Sequence, residues 1–313
     1  MSYQEPQSAR AVLMVRPAGF GFNPQTAATN RFQRDHAPAG AAERQQRVLG
    51  EFDALAEALA RAGVRVIIAD DTADPVKPDA VFPNNWVSFH RDGTVVLYPM
   101  LAANRRLERR EELIAQVARE GAFRITRTVD LSHREAESKY LEGTGSLVLD
   151  RAAHIAYACL SPRTDLDVLG DFAQQLDYEL MTFDALDGGA PIYHTNVLMA
   201  VGTHFAVVCG ASIADSQHRD AVFSKLEATG HAIVDISLPQ MREFAGNLLE
   251  LGGQRGKLIA LSSAAWGSLD ARQRRALESH AEIVAVDLAT IERLGGGSVR
   301  CMLAEIHLPP RGR

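Results

Sequence analysis

The sequence is poor in cysteine, has no long apolar run and carries no strong excess of charge. Three cysteines in 313 residues do not make a disulfide framework, and no CxxC or His/Cys spacing indicates a metal site. The net charge of −6 is mild, and acidic and basic residues are interspersed, so the chain offers no electrostatic footprint for nucleic acid. We therefore expect neither a metal nor a nucleic-acid partner.

Membrane and export signals are also lacking. No apolar run approaches the roughly 20 residues needed to span a bilayer, and residues 1–10 have no apolar core of a signal peptide. An apolar content of 46% is ample for a packed core. The sequence therefore predicts a soluble globular protein of the cytoplasm, of one large domain or two ordinary ones, without a membrane partner.

A fivefold pattern of helices and strands runs along the chain. Each copy has a helix, a strand, a loop, a second strand, a tight turn and a third strand. The first helix, for example, places Phe52, Leu55 and Leu59 on one face. The helices are predicted near residues 45–62, 105–120, 165–177, 214–229 and 269–279.

The strand after each predicted helix is short and apolar. In the closing copy the strands are split between the chain ends, because Ala11–Val15 begins the chain and Ser298–Ile306 ends it. Pairing of these two segments would complete one sheet, which favours a closed ring of five strand-and-helix units over a doubly wound sheet. The strands that follow the helices are Val64–Ala69, Phe123–Thr126, Tyr178–Phe183, Ala232–Ile236 and Ile283–Val286.

Polar residues fall at the same place in every copy, where the loop enters the second strand. Equivalent positions in a ring face a common centre, so the repeat predicts that these segments line one cavity. The five segments are Asp79–Asn85, Glu142–Ser146, His194–Asn196, Phe244–Asn247 and Gly297–Cys301.

Cys301 stands out among these residues because three glycines, 295–297, precede it at the start of the last predicted strand. Glycines let backbone approach closely, and amide N–H groups turned toward the thiol would stabilise a thiolate and a developing oxyanion. With His194 and Glu142, this thiol has the parts of a cysteine nucleophile and its acid/base partner. Cys159 and Cys209 each end an apolar strand and are expected to be core residues.

A long polar stretch near the N-terminus follows Arg16 and extends to about residue 44. Such a loop is usually functional or disordered. Its glycines and the aromatic residues Phe20 and Phe22 favour a lid over a substrate pocket, and disorder is the alternative.

Four of the segments, in order along nearly the whole chain, resemble the site motifs of the pentein, or guanidine-modifying, superfamily. The resemblance implies an α/β fold, a five-bladed propeller of five strand-and-helix repeats, as a single catalytic domain over residues 1–313 without a cofactor. It implies Cys301 as nucleophile, His194 as general acid/base, and Glu142 as the carboxylate that orients His194 and contacts the substrate's terminal nitrogens. The motifs are residues 79–85, 142–145, 194–196 and 295–301.

The substrate of such an enzyme is a small amino acid. Asp79 matches a position that contacts the amino-acid end of the substrate in relatives, and Arg105 and Arg106 are candidates by position for its carboxylate. Relatives are commonly dimers, so a homodimer is a further expectation. The substrate-binding residues are expected to be Asp79, Asn84, Asn85, Asn196, Asn23 and Arg105.

The sequence departs from the deiminase pattern at several positions. Asparagine stands at 84, 85 and 196 where deiminases place acidic residues, and Gly145 replaces an aspartate. A buried guanidinium needs carboxylates, whereas asparagine offers a donor and an acceptor to a neutral ureido group. The resemblance is therefore greatest to the citrulline-utilisation hydrolases, often labelled amidinotransferase-like, which favours conversion of citrulline to ornithine, ammonia and carbon dioxide.

Other functions remain open at this point. Arginine dihydrolases also use asparagines, so an arginine deiminase or dihydrolase is the second candidate. An amidinotransferase would need an acceptor amine, for which the sequence has no feature. A non-catalytic binding module, such as the ribosome anti-association factor that shares the fold, would have no reason to keep Cys301, His194 and Glu142 together.

Overall fold

A computed structural model describes residues 5–34 and 40–312 of the chain. The predicted lid therefore falls partly outside the described residues, at positions 35–39. In the described part the chain forms a mixed α/β fold with five three-stranded sheets and one two-stranded hairpin, β9–β10 in the numbering below. The strands, in chain order, are β1 (Ala11–Arg16), β2 (Arg65–Asp70), β3 (Val87–Phe89), β4 (Thr94–Leu97), β5 (Arg127–Asp130), β6 (Val148–Asp150), β7 (Ile155–Cys159), β8 (Glu179–Phe183), β9 (Leu186–Asp187), β10 (Ala190–Pro191), β11 (Met199–Val201), β12 (Phe205–Val208), β13 (Ala232–Asp235), β14 (Leu249–Gly252), β15 (Lys257–Ser262), β16 (Glu282–Val286) and β17 (Ala304–Glu305).

Every three-stranded sheet has the same topology. Its middle strand pairs antiparallel with one neighbour and parallel with the other, as in the sheet β3–β4–β5. The parallel partner follows the middle strand after a helical crossover, the connection that parallel pairing requires. The five sheets are β17–β1–β2, β3–β4–β5, β6–β7–β8, β11–β12–β13 and β14–β15–β16. The predicted fivefold repeat is thus present in the described residues.

The two ends of the chain share one sheet, as predicted. β17 pairs antiparallel with β1, with Val12 opposite Glu305 and Leu13 opposite Ala304. β2 pairs parallel with the other edge of β1. The C-terminal strand therefore holds the segment that carries Cys301 against the start of the chain.

The long helices each bury one apolar face. α2 buries Val48, Phe52, Leu55, Ala56 and Leu59, a spacing that repeats at the helical period. No helix in the described ranges is long and apolar enough to cross a membrane. The α-helices are α1 (Pro24–Ala27), α2 (Ala41–Arg61), α3 (Glu111–Glu120), α4 (Gly143–Ser146), α5 (Leu166–Leu176), α6 (Thr195–Leu198), α7 (Ser216–Ala228), α8 (Leu238–Arg242), α9 (Ser263–Ser268), α10 (Ala271–Glu278), α11 (Ala289–Gly295) and α12 (Val299–Met302), and 3₁₀ turns lie at Pro83–Asn85, Ala103–Glu108, Ser132–Glu137 and Gly210–Ser212.

One strand prediction was wrong. The apolar residues 123–126 were expected to form a strand, but the strand is β5, at Arg127–Asp130. β5 is an edge strand with mostly exposed side chains, so its sequence is polar. Phe123 and Ile125 instead pack against the core beneath the sheet, which explains why the apolar pattern pointed to the wrong residues.

The entries into the second strands were also predicted incorrectly. The segments before β6, β11 and β17 begin as the single-turn helices α4, α6 and α12, and not as strands. Each turn is closed by local bonds, such as Ser146 N–H to Glu142 C=O and Met302 N–H to Ser298 C=O. A four-residue helix is too short to display a helical period in the sequence.

These short turns contact one another. The 3₁₀ turn Pro83–Asn85 contacts both α4 and α12, and α4 contacts α6. Asn247 joins the remaining two turns, since its side chain donates to the Asn196 carbonyl of α6 and accepts from the Arg300 amide of α12. The five predicted site segments therefore contact one another in a closed circuit.

Candidate active site

Cys301 lies on α12, with 3% of its surface exposed. The cysteine was predicted at the start of a strand, and its position on a helical turn corrects that expectation. Gly297 passes close to it, because a Cβ added at this glycine would lie 3.3 Å from the Cys301 Cβ. The glycine therefore permits the close backbone approach that the sequence indicated.

Two asparagines surround the Cys301 sulfur. The Asn247 amide donates to Sγ at 3.3 Å and the Asn196 amide at 3.5 Å. Burial raises the pKa of the thiol, and hydrogen bonds from Asn247, the Ser298 backbone and Asn196 offset part of that rise. Backbone amides of glycines 295–297 were predicted to donate hydrogen bonds to the thiol. In the structure the backbone hydrogen bond comes from Ser298, and the side chains of Asn247 and Asn196 supply the others.

His194 and Glu142 form a buried pair. His194 Nε2 lies 2.8 Å from Glu142 Oε2, and neither side chain is more than 2% exposed. Burial lowers the pKa of His194 to about 4, against the opposing effect of Glu142. Because an ionised carboxylate only accepts hydrogen bonds, Nε2 carries the proton of the neutral ring and Nδ1 keeps its lone pair.

Arg163 fixes Glu142 from the other side. Its guanidinium donates to Glu142 Oε2 at 3.2 Å, and the second terminal nitrogen bonds the Thr26 carbonyl and the Thr29 hydroxyl. Burial alone would raise the pKa of Glu142, but Arg163, His194 and Arg105 together hold it well below its usual value. Glu142 therefore remains ionised beside a neutral imidazole.

Arg105 organises a second charged cluster. It bonds Glu108 through two nitrogens, each at 2.9 Å, and lies 3.7 Å from Asp79 Oδ2 and 3.8 Å from Glu142 Oε2. Asn23 donates to Asp79 Oδ2 at 2.7 Å. Burial raises the pKa of Asp79, and Arg105 and Asn23 oppose the rise. Asp79 Oδ1 has no hydrogen-bond partner among the described residues.

Asn85 is oriented by this cluster. Its Oδ1 accepts from Arg105 at 2.9 Å, which leaves Nδ2 as a buried donor without a partner in the described part of the chain. A Cβ built at Gly145 would lie 2.4 Å from this Nδ2 and 2.7 Å from His194 Nδ1. Both amide atoms of the neighbouring Asn84 are likewise buried and unpartnered within the described ranges.

A small cavity joins these groups. Cys301, His194, Asp79, Asn85 and Arg105 all line it, together with Arg163 and Tyr193. The space open to the centre of a water-sized sphere in this cavity is about 10 Å³, at the lower limit of the roughly 10–15 Å³ that one water needs by the same measure. An amino acid therefore enters this site only after some wall of it moves.

Part of that wall comes from the segment predicted to be a lid. Thr26, Asn30 and Gln33 line the cavity. Asn30 donates to the carbonyls of Gly295 and Gly296, and Gln33 donates to Gly295. The described part of the segment thus covers the site and is tied to the glycine run.

The predicted residues divide into two groups. Five line the cavity directly, whereas Glu142, Asn84, Asn196 and Asn23 stand behind its walls. Arg106 is turned away, since it bonds the Met100 carbonyl and lies 3.4 Å from Glu135. Of the two arginines considered for the substrate carboxylate, only Arg105 lies at the cavity.

Sequence reasoning missed Arg163, Glu108 and the role of Asn247. Asn247 had a signal, because it lies in the fourth repeat segment. Arg163 and Glu108 lie outside the repeat positions and had none. Among the described residues, no group of three or more His, Cys, Asp or Glu side chains is placed to hold a metal ion.

Comparison with known proteins identifies the family. The sequence matches the family described as N,N dimethylarginine dimethylhydrolase, eukaryotic, over residues 16–308. The chain belongs to this family. It is thereby a member of the pentein superfamily that the motifs predicted, although the match does not single out the citrulline branch. No curated protein sequence matches the chain.

Solved structures share the fold. ArgZ, an arginine dihydrolase from the ornithine-ammonia cycle in cyanobacteria, superposes with a TM-score of 0.74 at 17% identity, covering 96% of this chain and 41% of ArgZ. A mutant of AgrE in complex with L-arginine superposes with a TM-score of 0.73 at 17% identity, covering 97% of this chain and 41% of AgrE. A dimethylarginine dimethylaminohydrolase variant in adduct with S-methyl-L-thiocitrulline superposes with a TM-score of 0.63 at 14% identity, covering 95% of this chain and 100% of the hydrolase chain. The chain therefore spans about two fifths of ArgZ and AgrE.

Proposed function

We propose that this protein is a cysteine-dependent hydrolase of a C–N bond in the terminal ureido or guanidino group of a free amino acid. The observation that carries the proposal is the joint placement of Cys301 and His194 on one cavity, with Glu142 bonded to the imidazole. Membership of the family supports this reaction class.

The proposed reaction begins with a protonated thiol and a neutral imidazole. His194 Nδ1 accepts the thiol proton while Sγ attacks the ureido or guanidino carbon, and the same proton then passes to the departing nitrogen. Glu142, held ionised by Arg163, stabilises the imidazolium that forms between these two transfers. Water, activated by His194, hydrolyses the covalent thioester-like intermediate and regenerates the thiol.

With citrulline, two orders of departure give the same products. If ammonia leaves first, hydrolysis releases an N-carboxy-ornithine, which loses carbon dioxide to give ornithine. If ornithine leaves first, the cysteine carries a carbamoyl group, whose hydrolysis yields ammonia and carbon dioxide. Both orders use the same proton transfers at His194.

Citrulline is the proposed substrate because of the polarity of Asn85. Arg105 fixes the Asn85 oxygen, so the free Nδ2 donor faces the region of His194. A ureido oxygen accepts such a hydrogen bond. A guanidinium has only donors, and two opposed donors in a buried site leave both unsatisfied.

The amino-acid end of the substrate is assigned to the charged cluster. Arg105 and Arg163 line the cavity and offer guanidinium donors for an α-carboxylate. The unpartnered Asp79 Oδ1 suits an α-ammonium group. In this assignment Asn23 is a positioning residue, since it bonds Asp79 and does not itself line the cavity.

Arginine is the second candidate substrate. Asp79 Oδ1 and Glu142 are acceptors that a guanidinium could use, and the charges of Asp79, Glu108 and Glu142 exceed those of Arg105 and Arg163 by one when all are ionised. An arginine dihydrolase would hydrolyse the guanidino group twice in the same site.

Substrate competition tests the proposal. Purified protein is incubated with citrulline, arginine, methylated arginines and agmatine, and ammonia and amino-acid products are measured. Citrulline should give the highest kcat/KM, and agmatine, which lacks the α-carboxylate, should react poorly. Higher kcat/KM for arginine would replace the first candidate by the second.

Two variants test the residues. Cys301→Ser should keep the fold and lose at least about 10³-fold in kcat, and near-normal ammonia release from it would refute the mechanism. Asn85→Asp replaces the free donor by an acceptor, so it should shift the kcat/KM ratio toward arginine by at least about tenfold. An unchanged ratio would remove the basis for choosing citrulline.

The propeller belongs to the same proposal. The shared topology of the five sheets and the closed circuit of site segments support a five-bladed arrangement around the cavity. The single catalytic domain over residues 1–313, the homodimer and the cytoplasmic location stay predictions from the sequence.

A further inference from the structure

Asn247 occupies the site position of the fourth repeat, for which the proposed reaction has no role. Its side chain is fully buried, and its backbone N–H donates to the Phe244 carbonyl at 2.8 Å in the turn before β14. It does not line the cavity. Whatever it contributes to the reaction therefore acts through the groups that it touches.

Hydrogen bonds fix the orientation of the Asn247 carboxamide. Oδ1 accepts from the Arg300 amide at 3.1 Å, and Nδ2 donates to the Asn196 carbonyl at 2.9 Å and to Cys301 Sγ at 3.3 Å. Rotation by 180° would set Oδ1 against a carbonyl oxygen and Nδ2 against an N–H. The sulfur therefore faces a donor that has no alternative orientation.

Asn196 is held less strictly at the sulfur. Its Nδ2 lies 3.5 Å and its Oδ1 3.8 Å from Sγ, so either end of this amide is near the nucleophile. Asn247 provides the shorter contact and the fixed one. The two asparagines are therefore not equivalent partners of Cys301.

A fixed donor acts differently on the two forms of the thiol. Sulfur in a thiol is a weak acceptor, whereas a thiolate is a charged acceptor, and hydrogen bonds to charged groups are roughly twice as strong as neutral ones. Cys301 is only 3% exposed, so little water can solvate a charge on its sulfur. Among the hydrogen bonds that counter the effect of burial on the Cys301 pKa, the one from Asn247 is the largest.

We propose that Asn247 is a catalytic residue that stabilises the Cys301 thiolate by donating a hydrogen bond to Sγ. When His194 takes the thiol proton, the electron pair remains on sulfur and Asn247 keeps both of its hydrogens. The bond weakens as Sγ attacks carbon and strengthens again when the thiolate departs from the hydrolysed intermediate. This inference rests on the proposed role of Cys301 as nucleophile.

Alkylation of Cys301 tests the inference without reference to the substrate. Iodoacetamide labelling is followed from pH 6 to pH 10, and the Cys301 peptide is quantified by mass spectrometry to separate it from Cys159 and Cys209. Asn247→Asp keeps an acceptor for the Arg300 amide but turns a carboxylate oxygen toward the sulfur. The labelling midpoint is the pH at which the rate of Cys301 labelling reaches half of its maximum. In Asn247→Asp this midpoint should rise by one pH unit or more, and kcat should fall at least about tenfold with little change in KM.

Asn247→Ala provides the second variant, since it removes the donor without adding charge. It should also raise the midpoint, by less than Asn247→Asp. Gln116→Glu is the matched control, because it makes the same amide-to-carboxylate change at a residue that bonds the Ile68 carbonyl away from Cys301, and its labelling midpoint should equal that of the wild type. Thermal unfolding verifies that the variants are folded.

The outcomes separate this inference from the proposed function. A wild-type midpoint retained in both folded Asn247 variants would overturn the role of Asn247 and leave Cys301 as nucleophile. Activity that survives in Cys301→Ser would overturn the proposed function itself. A raised midpoint with a loss in kcat supports the inference.

Discussion

At the scale of single residues, the resting site holds a protonated thiol and a neutral imidazole. Burial drives both groups toward their uncharged forms, raising the pKa of Cys301 and lowering that of His194 to about 4. In the proposed reaction, the ionised Glu142 stabilises the imidazolium that forms when His194 takes the thiol proton. The thiolate and imidazolium charges of that reaction form only at the moment of attack.

The dependence of kcat/KM on pH follows from these pKa shifts. As pH falls through about 4, His194 becomes protonated and no longer accepts the thiol proton, so activity is lost. As pH rises above the raised pKa of Cys301, the proton for the leaving nitrogen is gone, so activity falls again. We expect kcat/KM to be nearly constant from about pH 5 upward. We expect it to fall again only above about pH 8.5, the ordinary pKa of a thiol.

Measurement of kcat/KM across that range, at pH values where the protein remains folded, checks this expectation. An acidic limb near pH 6.5, the ordinary value of an exposed histidine, would contradict the buried neutral imidazole. An alkaline limb well below pH 8 would contradict the protonated thiol.

Gly145 is closely packed against two side chains of the site. A Cβ here would meet Asn85 Nδ2 at 2.4 Å and His194 Nδ1 at 2.7 Å, distances that force these side chains to move. We expect Gly145→Ala to lower kcat/KM by at least about 100-fold, because small displacements of reacting groups cost that much in rate. The aspartate found here in deiminases would require a different arrangement of Asn85 and His194.

Gly170→Ala is the matched control for this substitution. Gly170 lies within α5, and a Cβ added there meets no atom within 4 Å. This variant should keep wild-type activity and gain slightly in stability, since alanine favours helix over glycine. Equal activity of the two alanine variants would refute the packing argument.

At the scale of elements, the segment of residues 23–34 closes the site. Arg163 ties it down through the Thr26 carbonyl and the Thr29 hydroxyl, and Asn30 and Gln33 tie it to the glycine run. These bonds connect the cover of the cavity to both the acid/base pair and the loop before Cys301. Opening the site must break some of them.

Loosening these ties should expose Cys301. Asn30→Ala combined with Gln33→Ala removes hydrogen bonds to Gly295 and Gly296 that are each worth about 1 kcal/mol. Because iodoacetamide must pass this cover to reach Cys301, labelling of Cys301 should accelerate about tenfold or more. The control is Gln116→Ala, which removes a distant bond to the Ile68 carbonyl, and an unchanged labelling rate in the double variant would show that the segment does not gate access.

At the scale of the whole molecule, the two chain ends complete the sheet that directly follows the turn carrying Cys301. Leu303, Ile306 and Leu308 are each at most 4% exposed, and β17 pairs with β1 directly after the turn that carries Cys301. The position of the sulfur therefore depends on residues at the opposite end of the chain.

Deletion of residues 303–313 tests this dependence. The deletion keeps Cys301 but removes three large buried apolar side chains, each worth about 1.5–3 kcal/mol, a sum comparable to the 5–15 kcal/mol of a whole protein. We expect an aggregated or unfolded product without activity. Deletion of 312–313 is the control and should leave the melting temperature within about 1 °C, and a folded, active protein lacking 303–313 would show that the terminal sheet is dispensable.

The sequence by itself determined the repeat and the identity of the central side chains. Apolar periodicity and turn residues marked five copies, and the polar residues at their equivalent positions included Cys301, His194 and Glu142. These features were readable because a repeat places its signals at regular intervals, and because a rare thiol after three glycines has few structural explanations.

Only the tertiary structure decided how those side chains interact. Arg163 and Glu108 lie outside the equivalent site positions of the repeats, so no sequence signal connected them to Glu142 and Arg105. Arg163 nevertheless helps to keep Glu142 ionised, and Glu108 bonds Arg105. The single-turn helix under Cys301 is held by local bonds too few to leave a periodic pattern. A hydrogen bond from Arg105 orients the Asn85 amide, and contacts with Arg300, Asn196 and Cys301 together orient the Asn247 amide. Such orientations arise only when distant segments of the chain are packed together.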